Sequence, residues 1–144
     1  MIDGLFNSGS MPVLERVIQF TSQRQKLLNH NVANLSTPYF KPVDVDPRGF
    51  QAALSDAIDR RRQNPDPVGG PLQLSDTDQV AFNHDSVRLS PTGRHEGILF
   101  HDQNNRDVER IMQDLAENTL AHRAAVDMLR NQFEMLRIAI RERV

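Results

Sequence analysis

The sequence predicts a mainly α-helical chain whose long amphipathic N- and C-terminal helices form a coiled-coil-like hairpin, joined by a proline-rich and largely irregular middle segment. Two observations predict this fold class. Apolar residues recur at alternating spacings of four and three in both terminal segments, 11–36 and 104–144. Six of the eight prolines, by contrast, lie between Pro38 and Pro71, where they interrupt regular structure. Residues 1–10 are interpreted as an N-terminal tail.

The N-terminal segment, 11–36, is predicted to be an amphipathic helix. Seven positions from 14 to 35, spaced alternately by four and three residues, fall on one helical face, and five of them are apolar. This periodicity predicts a stripe for helix packing and assembly. Its main residues are Leu14, Ile18, Leu28 and Val32.

The C-terminal segment, 104–144, carries a longer stripe. Ten positions from 108 to 140 follow the same spacing, and eight of them are apolar, a pattern typical of a coiled coil. Thr119 and His122 interrupt it. The predicted packing and assembly residues on this helix are Leu115, Val126, Leu129, Phe133, Leu136 and Ile140.

The two predicted helices differ in length. At the rise of an α-helix, residues 107–143 span roughly 55 Å and residues 11–34 span roughly 36 Å. Because the shorter helix cannot cover the longer one, we expect part of the C-terminal stripe to pack on another protein chain. In the alternative arrangement, the middle segment of the same chain covers the overhang.

The middle segment, 37–103, is expected to be too polar and too rich in proline to cover either long helix. Three apolar residues at a spacing of four predict one short helix over about 47–62; they are Phe50, Leu54 and Ile58. The Pro- and Gly-rich run after it predicts a linker over 64–78. Three brief apolar runs predict short strands at 80–82, 87–89 and 98–100.

A turn is predicted where the N-terminal helix ends. Asn31 and Asn34 suit the last turn of a helix, because asparagine tolerates left-handed geometry and bonds nearby backbone groups through its side chain. Pro38 lacks an amide donor and disfavours helical geometry at Thr37, so the helix is not expected to continue. These four residues form the predicted turn motif.

The stretch from Asn31 to Lys41 resembles the Asn-Ile-Ala-Asn-x-x-Thr-Pro-Gly-Tyr-Lys signature near the N-terminus of bacterial flagellar rod and hook proteins. Val32 replaces the isoleucine of that signature conservatively. Tyr39 stands where the family has glycine, a residue that commonly serves where the backbone takes a positive φ. The question for the structure is therefore whether Tyr39 changes the backbone conformation of the turn.

A second resemblance lies at the start of the C-terminal helix. Residues 102–107 and 115–122 are similar to the segment that opens this helix in the proximal rod subunit of the flagellar basal body. Gln103, Arg106 and His122 depart from that pattern. The two resemblances occur in the family's order and at about its separation.

The resemblance implies a structural function. The chain would be a subunit of the proximal rod, part of the axial drive-shaft for motility. Its partners would be other rod subunits, further copies of itself, and components of the export apparatus and the basal-body rings. The resemblance also implies a location in the basal body within the periplasmic space, and export by the flagellar type III apparatus without a cleavable signal peptide. No enzymatic activity, cofactor, metal or small-molecule substrate is expected.

The composition is consistent with one small domain and argues against several other classes. The 144 residues include 17 basic and 19 acidic side chains, and the formal net charge of -2 does not provide the basic face that nucleic-acid binding needs. No cysteine is present, which excludes disulfides and thiolate metal sites. No run of eighteen apolar residues occurs, so a membrane-spanning segment is not expected.

Two alternative functions are left open by the residues themselves. The helices alone would suit a generic coiled-coil adaptor unrelated to flagella. Three histidine–carboxylate pairs, at His84, His95 and His101, would suit a metal-dependent enzyme, because imidazole and carboxylate bind zinc. We favour scattered surface histidines as the interpretation, because a metal site needs a rigid scaffold and this region has the composition of loops.

Overall fold

The computed structural model describes residues 9–63, 72–83, 86–93 and 108–141. The helices in these residues are α1 (Met11–Ala33), α2 (Pro47–Arg62) and α3 (Val108–Arg141). The strands are β1 (Val43–Asp44), β2 (Val80–Phe82), β3 (Val87–Leu89) and β4 (Thr92–Gly93). The prediction of a mainly α-helical chain with a long C-terminal helix and a few short strands is confirmed. The predicted strand at 98–100 and residues 64–71 of the predicted linker lie outside the described residues.

The helices α1 and α3 pack against each other in antiparallel orientation. Gln25 of α1 bonds to Asn118 of α3, and Thr21, one turn earlier in α1, bonds to His122, one turn later in α3. If both helices continue at the same rise, this register places Met11 level with about residue 132. The last turns of α3 therefore extend beyond the start of α1.

The C-terminal end of α1 is set by Asn34. The amide of Asn34 donates to the carbonyl oxygens of His30 and Asn31 at 3.2 and 3.3 Å, and its side-chain Nδ2 donates to the same His30 oxygen at 2.9 Å. These bonds satisfy carbonyl groups that a longer helix would have used. As a result α1 ends at Ala33, three residues before the end of the predicted 11–36 segment.

The main hydrophobic core lies between α1 and the middle of the chain. Phe20 of α1 stacks on Phe50 of α2, with the ring centroids 4.1 Å apart and the planes nearly parallel. Phe82 of β2 extends the stack, with its centroid 6.1 Å from that of Phe50. The buried members of this core are Phe20, Val45, Phe50, Leu54, Val80 and Val87.

Our expectation that the middle segment covers neither long helix is wrong for α1. The strands β2 and β3 form an antiparallel pair in which Val80 and Val87 are each 1% exposed. Because alternate residues of a strand point to opposite faces, a short polar segment can still present its few apolar side chains on one side. The average composition of the segment does not indicate that its few apolar side chains lie on one face, so the contact with α1 was not predicted.

Hydrogen bonds tie the middle segment together. Asp46 caps the start of α2, where its side chain accepts from the amide of Arg48 at 3.0 Å. The Gln79 side chain accepts from the amide of Asp46 at 2.8 Å and donates to Thr92 Oγ1 at 2.6 Å. Since Thr92 begins β4, which pairs with β1, one glutamine connects three elements of the segment.

We predict that Phe50→Ala lowers the free energy of unfolding by about 3 to 5 kcal/mol, because it removes a 3% exposed ring from the stack with Phe20. Urea denaturation followed by circular dichroism measures the change. Gln51→Ala, at the next and exposed position of α2, is the matched control and is expected to change stability by less than about 0.5 kcal/mol. Equal stability of the two variants would contradict a core between α1 and α2.

Candidate assembly interface

The C-terminal end of α3 exposes large apolar side chains. Met135 is 55% exposed, and four others between residues 128 and 140 have similar exposure; they are Met128, Phe133, Ile138 and Ile140. At 100° per residue these side chains point in several directions around the helix axis. Exposed apolar patches beside charged residues are typical of surfaces that bind a partner in the functional form of a protein. This end of α3, residues 128–141, is therefore a candidate assembly surface, and we call it the α3 end.

The predicted stripe residues of α1 lie towards α3. Leu14, Ile18, Leu28 and Val32 share, by spacings of three and four, the face that carries Thr21 and Gln25, which bond to α3. Leu28 is buried, and the other three are half-buried. Their role in assembly remains a prediction.

The predicted stripe residues of α3 are less covered than those of α1. Four of them are half-buried, namely Leu115, Val126, Leu129 and Leu136, whereas Phe133 and Ile140 are exposed. The buried residues of α3 are instead Ile111, Asn118 and Ala125, which repeat every seven positions. The line that faces α1 is thus rotated from the predicted stripe, because α3 packs around a polar residue that an apolar pattern does not detect.

A buried polar network joins α1 and α3. Asn118, which is 3% exposed, donates through Nδ2 to the carbonyl oxygen of Thr21 at 2.9 Å and to Gln25 Oε1 at 2.7 Å. Thr21 Oγ1 donates to the carbonyl oxygen of Val17 at 2.7 Å, so it accepts from Nδ1 of His122 at 2.9 Å. Buried polar groups that find partners in only one alignment fix the register of a helix pair.

A buried ion pair connects α1 to β1. Arg24 Nε and Nη2 donate to the two carboxylate oxygens of Asp44 at 3.0 and 2.7 Å, and Asp114 of α3 lies 3.8 Å from Nη2. Burial disfavours the charged guanidinium, but the hydrogen bond and the attraction to Asp44 outweigh it and raise the pKa of Arg24. Sequence reasoning missed this pair. The one available signal was an arginine within an otherwise apolar face of α1.

A cleft of about 470 Å³ opens beside this ion pair, and most of its lining residues are charged or polar. No group of three or more histidine or acidic residues capable of holding a metal occurs in the part of the chain that the structure describes. His84, His95 and His101, the candidate metal ligands, lie outside the described residues.

The predicted turn motif ties the end of α1 to β1. Asn31, which is 2% exposed, donates through Nδ2 to the carbonyl oxygen of Val43 at 2.8 Å and accepts from the amide of Val43 at 3.2 Å. The side chain thus bonds β1 as a neighbouring strand would. Thr37 donates its amide to the carbonyl oxygen of Asn34 at 3.0 Å, which closes the turn, and Pro38 is exposed.

Tyr39 takes a left-handed backbone conformation, with φ at 61°. Among the residues that the structure describes, Tyr39 is the single non-glycine residue with a positive φ. Its side chain is 75% exposed. The turn therefore keeps the backbone geometry for which glycine is suited, although a side chain with a Cβ is strained there by about 1 to 2 kcal/mol. Phe40, in contrast, packs its ring on His30, with the centroids 5.4 Å apart.

Comparison with known proteins finds similar chains among flagellar rod proteins. No family model matches the chain. The flagellar basal body rod protein FlgB of Bacillus subtilis (strain 168) is 26% identical over 135 residues, which cover 92% of this chain and 94% of that protein. The FlgB proteins of Borrelia hermsii and Yersinia ruckeri are 27% and 26% identical over 92% and 93% of this chain, and over 96% and 93% of their own lengths.

The similarities confirm the resemblance to flagellar basal body rod proteins, and specifically to the FlgB type. All three relatives carry the name of a rod protein, and none is named as an enzyme. Among the described residues, no helix is long and apolar enough to cross a membrane.

We predict that Asp44→Ala lowers the free energy of unfolding by about 3 kcal/mol, because it leaves the Arg24 guanidinium buried without its bidentate partner. Replacing both residues, as Arg24→Met with Asp44→Leu, is expected to cost less than the single change, because no unpaired charge is then buried. Asp59→Ala removes an exposed ion pair with Arg62 and serves as the control. A double variant that is no more stable than Asp44→Ala in urea denaturation would contradict this prediction.

We also predict that Tyr39→Gly raises the free energy of unfolding by about 1 kcal/mol, because glycine removes the strain at positive φ and the lost side chain is mostly exposed. Tyr39→Ala retains the Cβ and is the matched control, for which no such gain is expected. The measurement is the urea concentration at the midpoint of unfolding, compared among the unchanged protein, Tyr39→Gly and Tyr39→Ala when all three have the same denaturant dependence of the free energy. A gain for alanine as large as that for glycine would show that backbone strain is not the cause.

Proposed function

We propose that this chain is a structural subunit of the proximal rod of the bacterial flagellar basal body and contributes to the axial drive-shaft for motility. One observation carries the proposal: a chain similar to FlgB rod proteins over 92% of its length exposes an apolar helix end, as an assembling subunit does. Its biochemical activity is therefore assembly, and the surface that performs it is the α3 end.

The magnitude of the exposed surface supports repeated contacts. About half of the surface of each exposed apolar residue of the α3 end is accessible to solvent. Covering that surface on one residue contributes on the order of 1 kcal/mol. Five of them give on the order of 5 kcal/mol, which is near the lower limit of the cost of association. A single contact of this size would be weak, whereas a subunit held by several neighbours at once would be stable.

The antiparallel pairing of α1 with α3 supports a further part of the proposal, that the terminal helices act as a coiled-coil-like hairpin within the rod. The stripe residues of both helices would then contact neighbouring subunits as well as each other. Leu136 is half-buried and Ile140 is exposed, so both retain surface for such contacts.

Following the resemblance to rod proteins, the proposal extends to partners and location. The partners would be other rod subunits, copies of this chain, and components of the export apparatus and the basal-body rings. The location would be the rod in the periplasmic space, reached through the flagellar type III apparatus without a cleavable signal peptide.

We predict that deleting the gene abolishes swimming in soft agar, and that the unchanged gene restores it. A gene encoding Met135→Asp is expected not to restore swimming, because a charge placed at the α3 end would be buried in the rod without a partner. Ser55→Asp adds the same charge at an exposed polar position of α2, outside the α3 end, and is expected to restore swimming.

Two measurements separate loss of assembly from loss of folding. Circular dichroism of purified Met135→Asp is expected to match that of the unchanged protein, because Met135 is 55% exposed in the single chain. Basal bodies isolated from the Met135→Asp strain are expected to lack the protein. Normal swimming of the deletion strain would refute the proposed function.

A further inference from the structure

Tyr39 combines two features that the single chain does not explain. Its backbone is held at a φ of 61°, which is unfavourable for any residue with a side chain, and three-quarters of its surface is exposed. Within the described residues the tyrosine hydroxyl makes no hydrogen bond. Strained backbone that persists without a local benefit is characteristic of positions with a binding function.

The strained backbone directs an aromatic side chain away from the subunit. The neighbouring Phe40 is half-buried and packs on His30 of α1, whereas Tyr39 remains mostly exposed. A buried tyrosine provides a large apolar surface together with one polar group, a combination that is enriched at protein interfaces. Tyr39 is therefore suited to bind an apolar surface on a partner.

Among the described residues, the exposed apolar surface that could bind such a side chain lies on α3. Apart from Tyr39, every exposed large hydrophobic residue in the described part of the chain lies on α3, and five of the eight belong to the α3 end. Methionine is common there, and its thioether contacts aromatic rings favourably. The best example is Met135, which is 55% exposed.

Tyr39 cannot reach the α3 end of its own chain. The turn lies beside His30, because Phe40 packs on that residue, and the register of the helix pair sets His30 level with about residue 113 of α3. Met135 lies 22 residues farther along α3, which corresponds to roughly 33 Å. The tyrosine and the α3 end thus occupy opposite ends of the molecule.

The charges on α3 favour contact between opposite ends of two molecules. The first third of α3, beside the turn, exposes Glu109 and Glu117, whereas its Asp114 is paired with Arg24 of α1. The α3 end has a net charge of +2, from Arg130, Arg137 and Arg141 against Glu134. Surfaces of opposite charge attract during association and select the orientation of the partners.

We propose that Tyr39 of one copy of this chain binds the α3 end of a second copy, next to Met135. The contact joins unlike ends of the molecule, so it is heterologous and can be repeated along an axis without closing. This inference rests on the proposed rod function, because it names one contact by which rod subunits stack. Tyr39 is then an assembly residue, and the strain of its turn is offset only when a neighbour covers the side chain.

Stability and assembly should change in opposite directions in one variant. Purified Tyr39→Gly is expected to be more resistant to urea than the unchanged protein but to self-associate about tenfold more weakly in sedimentation equilibrium, because the ring that binds the second copy is missing. Tyr39→Phe keeps the ring and is expected to associate as the unchanged protein does. Unchanged association of Tyr39→Gly, or no association of the unchanged protein at millimolar concentration, would overturn the inference.

Cysteine pairing tests the orientation directly, because the chain contains no cysteine of its own. Ser36→Cys and Asn131→Cys proteins, which keep the Tyr39 and Met135 side chains, are mixed, mildly oxidised and expected to form mainly disulfides between the two variants. Ser55→Cys, at an exposed site on α2, replaces Ser36→Cys in the control mixture and is expected to cross-link at least tenfold less to Asn131→Cys. A predominance of disulfides between identical variants, or cross-linking no greater than in the control, would overturn the inference.

These outcomes are separable from the test of the proposed function. Loss of swimming in the deletion strain supports the rod function whatever Tyr39 binds. If that strain is immotile while Tyr39→Gly leaves self-association unchanged, the rod function stands and the Tyr39 contact is refuted.

Discussion

The structure depends on the enclosure of α1 between two different partners. One face of α1 carries Thr21 and Leu28 towards α3, and an adjacent face carries Phe20 and Arg24 towards the middle segment. The remaining face is polar, with Glu15, Lys26 and Asn29 exposed. The longer helix α3 packs on α1 along part of its length. Because α3 is longer than α1, the apolar α3 end remains exposed in the single chain.

Polar and apolar contacts have different roles in this fold. The contact between α1 and α3 is centred on Asn118, whose amide group requires specific acceptors and therefore permits one register. The Arg24–Asp44 pair similarly holds β1 at one place on α1. The exposed end of α3 is mainly apolar, and apolar burial is non-directional. Polar contacts thus specify the subunit, whereas the apolar surface can provide affinity for neighbours.

Features that depend on residues close in the chain were predictable from the sequence, whereas contacts between distant segments were not. The periodicity of α1 and α3 is local, so both helices could be recognised from spacing alone. The presence of a turn after α1 and the special position of Tyr39 were also accessible, because a turn is decided by residues close in the chain, although α1 ends three residues before the predicted limit at residue 36. The contribution of the middle segment to the core was not accessible. Its apolar residues are few, and they become a core only when β2, β3 and α2 gather around Phe20.

By itself the sequence determined the two long helices, the approximate end of the first, and the mismatch in their lengths. These features follow from hydrogen-bond geometry and side-chain periodicity within a few residues of each position. The tertiary structure decided which faces meet. Asn118 finds its acceptor 97 residues away at Thr21, and Arg24 finds its carboxylate 20 residues away at Asp44. A buried polar side chain takes its partner from whatever the fold brings within about 3 Å, and local spacing contains no record of that neighbour.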